Sequence, residues 1–424
     1  MADIKPFRGL FYNPKNIDIK KVVTPPYDVI SRRMQERFYR EDPHNVIRLI
    51  LGLEEKSDNA ADNRYTRAKK YLAGWVKNKI LIKSKKPCFY LYTQQYLYKG
   101  RKRTRLGFIA LMKIEDPKKS KVLPHEYTLN KPKEDRLKLI MNTGANLSPI
   151  FSLFEDRNNR ISSALKGWAE SKKPLFIFET EGVTHGIWEL DDKKTLKKIV
   201  SLMRKRKIFI ADGHHRYEVA LTYKKTAEKK KRMKNAPRVM MYFSKLTGKR
   251  NLTILSTHRV VSGNGYFKKD DIPKRLSGCF RFKKKKSLRE IIKELEKPGP
   301  RHTFGVYLGG SEFHVLIPKN AHSIKALIDR KKHPSLRRLD VTVLHDIIMA
   351  KLLSVKTGEN SIKYVKSEED ACRLVDRGGF DAAFFLRPTS VFDMKAVAER
   401  GVMMPQKSTY FYPKLLTGLV INKF

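Results

Sequence analysis

Lys207-Ile208-Phe209-Ile210-Ala211-Asp212-Gly213-His214-His215-Arg216-Tyr217-Glu218-Val219-Ala220 is the stretch on which the reading of the chain turns. A short apolar run ends at an Asp-Gly pair. Two histidines and an arginine follow, and a helix-favouring segment continues through Ala220, Leu221, Tyr223, Lys224 and Ala227. That order reads as strand, tight turn, helix. Gly213 lets the backbone bend or come close to a ligand, and the first helical turn offers unpaired N–H groups with a partial positive charge. Arg216 adds a forked donor matched to phosphate oxygens, so the turn reads as a phosphate cradle to which His214 and His215 contribute further donors.

Outward from this turn the chain alternates strands and helices. On its N-terminal side the pattern predicts strands over 150–154, 175–179 and 186–190, with helices over 159–170 and 192–205. Further back, two strand-like runs over 88–98 and 105–114 meet at the basic turn Lys99-Gly100-Arg101 and read as a hairpin. Tyr90, Tyr92, Tyr96 and Tyr98 alternate along the first of them, a pattern that serves base stacking or plain strand packing equally well. An amphipathic helix is predicted over 63–78, a short helix capped by Ser31 over 31–40, and a strand over 45–51. Pro25-Pro26-Tyr27-Asp28 fixes a stiff turn.

Pro124-His125-Glu126 sits in a loop before a helix predicted to start near Pro132, whose inner face carries Leu137 and Ile140. A loop carboxylate such as Glu126 can be aimed into a cleft and tuned by nearby cations to act as a general base. After the central helix, apolar runs over 238–246 and 251–261 follow. The second ends at Thr257-His258-Arg259, read as solvated surface or as an accessory to a phosphate site. From Phe267 onward a separate unit is expected, with a helix over 287–295, a hairpin around Gly309-Gly310, an apolar helix over 341–357, a strand over 381–386 and a helix over 393–399. The tail Met403-Met404-Pro405-Gln406-Lys407-Ser408-Thr409-Tyr410-Phe411-Tyr412-Pro413-Lys414 is dense in functional side chains for a terminus.

The 424 residues suffice for two or three domains with their own cores, and 41% hydrophobic content is that of a globular protein rather than a disordered one. Lys+Arg 91 against Asp+Glu 43 gives a net charge of +48. Such a field attracts phosphates, nucleic acid or an anionic surface without choosing among them. Its lysines are spread along the chain, with short runs at 229–232 and 283–286, as a solvated surface would have them. Cys88, Cys279 and Cys372 show neither CxxC nor zinc-ligand spacing, so a disulfide scaffold and a structural zinc are not indicated. No signal peptide and no transmembrane segment is read, and the cytoplasm is the expected compartment.

Five motifs together carry a resemblance: Lys5-Pro6-Phe7-Arg8-Gly9, Pro25-Pro26-Tyr27-Asp28, Leu123-Pro124-His125-Glu126, Ala211-Asp212-Gly213-His214-His215-Arg216 and Met404-Pro405-Gln406-Lys407-Ser408-Thr409. Through them the chain resembles, over nearly its full length, the prokaryotic DUF1015-type family. The Asp212 to Arg216 turn resembles the phosphate box of the ParB/sulfiredoxin-like fold, and Pro124-His125-Glu126 with Arg136-Leu137 looks like the second signature of its free-serine kinase branch. That likeness implies an α/β protein (α+β, with mixed sheets) having a nucleotide-binding core over 119–265, an N-terminal region over 1–118 and a C-terminal domain over 266–424 whose tail returns to the core.

The resemblance further implies a kinase that phosphorylates a small hydroxyl compound, most of all free L-serine, from ATP or ADP with Mg²⁺. In it Glu126 is the base, His125 and Asp212 join the catalytic group, and Gly213, His214, His215 and Arg216 hold phosphates. Asp212 would carry the metal, while Arg136, Lys407, Ser408 and Thr409 would meet the substrate. Glu126 and Asp212 stand further apart than a minimal domain of that fold needs, which implies an insertion. The alternative is a ParB-like, nucleotide-dependent nucleic-acid-binding protein, favoured by the charge and disfavoured by the lack of an evident helix-turn-helix. The oligomeric state is left open by the sequence.

Overall fold

The computed structural model describes residues 1–116, 119–128, 130–229, 238–246, 252–355 and 361–424. The basic run at 229–232 and the ends of the predicted segments at 251 and 356–357 therefore lie in part outside the described residues. The chain is a mixed α/β protein made of two compact units. The first comprises 1–124, 128–253 and 413–424; the second comprises 125–127 and 254–412.

The first unit is built on a nine-stranded sheet. Its strands are β1 (Ile4–Lys5), β2 (Phe89–Tyr98), β3 (Arg101–Lys113), β4 (Val122–Leu123), β5 (Ile150–Phe154), β6 (Phe176–Thr180), β7 (Val183–Leu190), β8 (Ile208–Asp212) and β9 (Arg238–Lys245). The path is β4-β8-β5-β9-β3-β2-β7-β6, with β1 on β3. Strands from 1–118 and from 119–265 thus share one sheet. Lys99 and Gly100, both at positive φ, turn β2 into β3. Most neighbours are antiparallel, but β8 runs parallel to β4, with Ile208 opposite Val122 and Phe209 opposite Leu123. The chain therefore leaves the sheet at Leu123 and at Asp212 on the same end, the strand C-terminal end where α/β sheets bind ligands.

Side-chain alternation gives the sheet two different faces. Phe89, Leu91, Phe108, Ala110, Met241 and Phe243 pack against helices Arg160–Ser171, Lys193–Met203 and His214–Lys229 in an apolar core. The opposite face carries Tyr90, Tyr92, Gln94, Tyr96, Arg105 and Tyr242, all buried. Its polar atoms bind the chain termini: Tyr90 Oη accepts from Gly9 N–H at 2.7 Å, and Gln94 Nε2 donates to the Lys414 carbonyl at 2.8 Å. The alternation at Tyr90, Tyr92 and Tyr96 is thus strand packing with hydroxyls spent on internal hydrogen bonds.

Local signals place most helix starts. Asn63 caps Arg64–Lys77 in a reciprocal capping box with Thr66, Ser31 caps Arg32–Glu41, and Asp192 caps Lys193–Met203. The strand expected over 45–51 is instead a short helix, Ile47–Ile50. Buried Asn45 accepts from Ile47 N–H at 2.9 Å and donates to the Lys21 carbonyl at 2.6 Å, which turns the apolar run into a helical turn.

The second unit has a six-stranded sheet of β10 (His258–Val261), β11 (Phe280–Lys285), β12 (Phe304–Tyr307), β13 (Phe313–Pro318), β14 (Ile362–Val365) and β15 (Ala382–Phe385), in the order β11-β13-β12-β15-β10-β14. Helices Leu288–Glu296 and Glu368–Asp376 cover one face, with Ile291, Leu295, Ala371 and Val375 in the core. The apolar helix expected from 341 is a short α-turn, Asp340–Thr342, that widens into a π-helix over Val343–Leu352.

Candidate functional site

In the first unit β8 delivers Asp212 to the end of the sheet, after a register shift between Ile210 and Asp212, and helix His214–Lys229 starts at once. Gly213 sits at φ +93, and a Cβ there would stand 2.9 Å from the Nε and Nη2 of Arg216. Only glycine satisfies both the backbone and that close approach. Arg216 folds back over the turn: Nη2 donates to Asp212 Oδ2 at 2.8 Å, and Nη1 donates to Ser148 Oγ at 3.0 Å and the Pro149 carbonyl at 2.5 Å.

The other oxygen of Asp212, Oδ1, accepts from Lys414 Nζ. Burial pushes the Asp212 carboxyl up, but the Lys414 and Arg216 charges, with His214, outweigh it and hold the group well below the usual carboxylate range. Lys414 completes this ion-pair cluster and was passed over by motif reading, although it stands in the tail already noted as unusual. Its backbone is fixed from the polar face of the sheet, by Gln94 and by fully buried Arg105, which donates to the Pro413 carbonyl.

Arg136 lies in the same unit, on helix Asn130–Thr143. Its guanidinium donates to Asp135 Oδ2 at 2.6 Å and to the Ile50 carbonyl at 2.7 Å, and it stacks 4.1 Å from the centre of the Tyr27 ring. Tyr27, Arg136, Ser148 and Arg216 all line one cavity of about 60 Å³. That space suits a few waters or one small polar group rather than a nucleotide. Three motifs distant in sequence therefore meet there: the Pro-Pro-Tyr-Asp turn, the 136 helix and the 212–216 turn.

The expected Mg²⁺ ligand does not fit its role as it stands. Both oxygens of Asp212 already face a cation, so a single carboxylate is neutralised twice over and a divalent ion would be repelled. Among the described residues no group of three His, Cys, Asp or Glu side chains is placed to hold a metal.

In the second unit Glu126 lies beside Met404, and the Met404 N–H donates to the His125 carbonyl at 2.8 Å. Glu126 Oε1 accepts two hydrogen bonds from Thr409, from its N–H at 2.9 Å and its hydroxyl at 2.8 Å. Buried His125 shares a 3.0 Å hydrogen bond with that hydroxyl through Nε2. One carboxylate oxygen is thus pinned, while Oε2 accepts no hydrogen bond from a described residue. A carboxylate held this way has a fixed direction and a lone pair left for a proton.

The loop that brings Thr409 to Glu126 is shaped by Arg259, which is buried rather than solvated. Its Nη2 donates to the Lys407 carbonyl at 3.2 Å and its Nε to His345 Nε2 at 3.0 Å. Burial, then the Arg259 and Lys332 charges, push His345 down to about 3, so it accepts as a neutral ring. Burial pushes Arg259 itself down to about 10, with Tyr364 and Glu126 opposing.

Among the expected substrate contacts, Ser408 donates to the Pro405 carbonyl at 2.5 Å and Thr409 is spent on Glu126. Lys407, at φ +56, is the exposed one of the three. His125, Glu126, Ser408 and Thr409 therefore cluster in the second unit; Arg136, Asp212, Gly213, His214, His215 and Arg216 belong to the first.

A family model described as "Protein of unknown function (DUF1015)" matches residues 4–342. The chain belongs to this family. No curated protein matches it. Among solved structures, it is similar to a free serine kinase in complex with AMP, at 13% identity over 69% of this chain and 83% of that one, with a TM-score of 0.32. It is similar too to a conserved hypothetical protein from Pyrococcus furiosus, at 14% identity over 70% and 89%, TM-score 0.33. SbnI with a C-terminal truncation, from Staphylococcus aureus, matches at 12% identity over 73% and 85%, TM-score 0.38. No helix among the described residues of this DUF1015 member is long and apolar enough to cross a membrane.

Proposed function

We propose that this DUF1015 protein is a small-molecule kinase that moves a phosphoryl group from ATP or ADP to a hydroxyl compound, with free L-serine the foremost acceptor. The observation that carries the proposal is the parallel pairing of β4 with β8, which sends Leu123-Pro124 and Asp212 out at one end of the sheet. Pro124 stands two residues before Glu126. The chain on the far side of Glu126 is tied to the helix of the turn, because Thr128 Oγ1 donates to Glu218 Oε2 at 2.7 Å.

In the proposed reaction Glu126 Oε2 accepts the proton of the acceptor hydroxyl as its oxygen bonds to the terminal phosphorus. The bond from phosphorus to the bridging oxygen breaks, and the departing nucleotide keeps the electron pair. Such transfer depends on positioning and on neutralising phosphate charge more than on covalent chemistry. The helix start after Gly213, with His214 and His215, supplies donors and positive potential to the phosphates. The Asp212–Lys414 and Asp212–Arg216 pairs hold the turn in shape, and Arg136 at the small cavity offers a cation to an acceptor's carboxylate.

The test is nucleotide consumption with Mg²⁺ present and product identified by mass, across hydroxyl compounds headed by L-serine. Serine-dependent O-phosphoserine that disappears in Glu126→Gln, with nucleotide binding kept, is the expected result. Turnover retained in that variant removes Glu126 as base. The second reading, nucleotide-dependent nucleic-acid binding, rests on the +48 charge. It predicts oligonucleotide affinity that changes with nucleotide; affinity that simply collapses with salt would reduce it to charge attraction.

A further inference from the structure

The second unit holds a cavity of about 800 Å³, within the range of small-molecule sites, that neither the kinase reading nor any motif uses. It opens between the approach to β12 and helices Ala321–Leu327 and Pro334–Arg337. Buried Ile324 and Ile328, with Pro300, Pro318 and Pro334, make an apolar floor. Around it stand Arg301, Lys325, Arg330, Arg337 and Arg338, and no acidic residue lines the space.

Charge pairing around the cavity is incomplete. Arg338 Nε meets Asp393 Oδ1 at 3.2 Å, but Arg301, Lys325, Arg330 and Arg337 form no ion pair with a carboxylate among the described residues. Arg337 adds a sharper sign: its Nε is buried and finds no acceptor among the described residues. A buried donor without an acceptor costs stability, and an anionic ligand entering the cavity would supply one. Four uncompensated cations around an apolar floor define a molecule with an anionic group at one end and an apolar ring at the other.

We propose that this cavity binds an organophosphate of nucleotide-like size, its phosphate against Arg337, Lys325 and Arg330 and its ring on Ile324, Ile328 and the prolines. The proposal is independent of the kinase reading, since its residues all lie outside the groups that reading uses. Its test is calorimetric titration of the full chain with naphthyl phosphate, which carries one phosphate on one aromatic body, against inorganic phosphate and naphthol. Naphthyl phosphate should bind more tightly than either comparator. Lys325→Glu and Arg337→Ala should each weaken it about tenfold or more, since each removes a charge-assisted contact, and Arg216→Ala should leave this binding in place.

Lys325 is exposed, so the Glu variant tests the site even where loss of Arg337 disturbs folding. Unchanged affinity in Lys325→Glu, binding lost only in Arg216→Ala, or equal affinity for inorganic phosphate or naphthol would each overturn the proposal. So would absence of binding to the unaltered chain.

Discussion

Lys414→Met isolates the ion pair that joins the C-terminal tail to the central turn. Methionine keeps the aliphatic stem and removes the charge on Asp212 Oδ1. Both side chains are nearly buried, with 10% of Lys414 and 15% of Asp212 exposed. Breaking a buried pair costs roughly 3–5 kcal/mol, and because Arg216 stays on Oδ2 at 2.8 Å the lower end applies, about 3 kcal/mol. With a urea dependence of about 3 kcal/mol/M for a unit of this size, the midpoint should fall by about 1 M.

The assay can be confined to the right unit, because all three tryptophans, Trp75, Trp168 and Trp188, lie in it. Fluorescence therefore follows that unit's unfolding alone. The pH dependence is also determined. A depressed Asp212 carboxyl contributes stability above its unfolded value of about 3.9, and that contribution is lost as pH falls toward the folded value. The gap between the unaltered chain and Lys414→Met should be full near neutrality and shrink below about pH 4. A double-mutant cycle with Asp212→Asn should return a coupling of about 2–3 kcal/mol. Coupling below about 0.5 kcal/mol, or a gap that persists unchanged into acid, would refute the pair as the tail's anchor.

Three further outcomes follow from the same geometry. Gly213→Ala forces a Cβ against Arg216 at φ +93, and should cost about 1–3 kcal/mol in the same fluorescence assay while weakening nucleotide binding. Thr409→Val keeps the N–H bond to Glu126 and removes the hydroxyl bond; kcat for the proposed kinase should fall about tenfold to a hundredfold with KM little changed, and an unchanged kcat would show that the Oε1 bond does not matter. Asn63→Ala removes a capping box and should lower the first unit's stability by about 1 kcal/mol without touching ligand binding.

Local sequence determined a good deal of this protein. The alternating run that became β2, the short apolar runs that became β5 and β8, the cap Ser31, and the Asp-Gly turn into a helix were all legible, because each rests on interactions between residues a few positions apart. Glu126 and the 212–216 turn could also be singled out as chemically unusual side chains at unusual places. The run at 45–51 could not be read correctly. A mostly apolar run interrupted by Arg48 fits a strand or a buried helical turn, and Asn45 reaching back to Lys21 decided between them.

Tertiary structure alone decided which residues complete each cluster. Lys414 reaches Asp212 across 202 positions, Thr409 reaches Glu126 across 283, and Gln94 grips the Lys414 backbone across 320. No periodicity reports such distances, so neither the Lys414 contact with Asp212 nor the Thr409 contact with Glu126 is legible in the sequence. For Arg259 the sequence offers solvated surface or an accessory to a phosphate site, and only the packing of His345, Tyr364 and the 406–407 carbonyls around it compensates its burial. The order of strands was equally hidden. The parallel contact of β4 with β8, which brings two motifs out at one end of the sheet, depends on closure of a chain loop between them that local pattern does not encode.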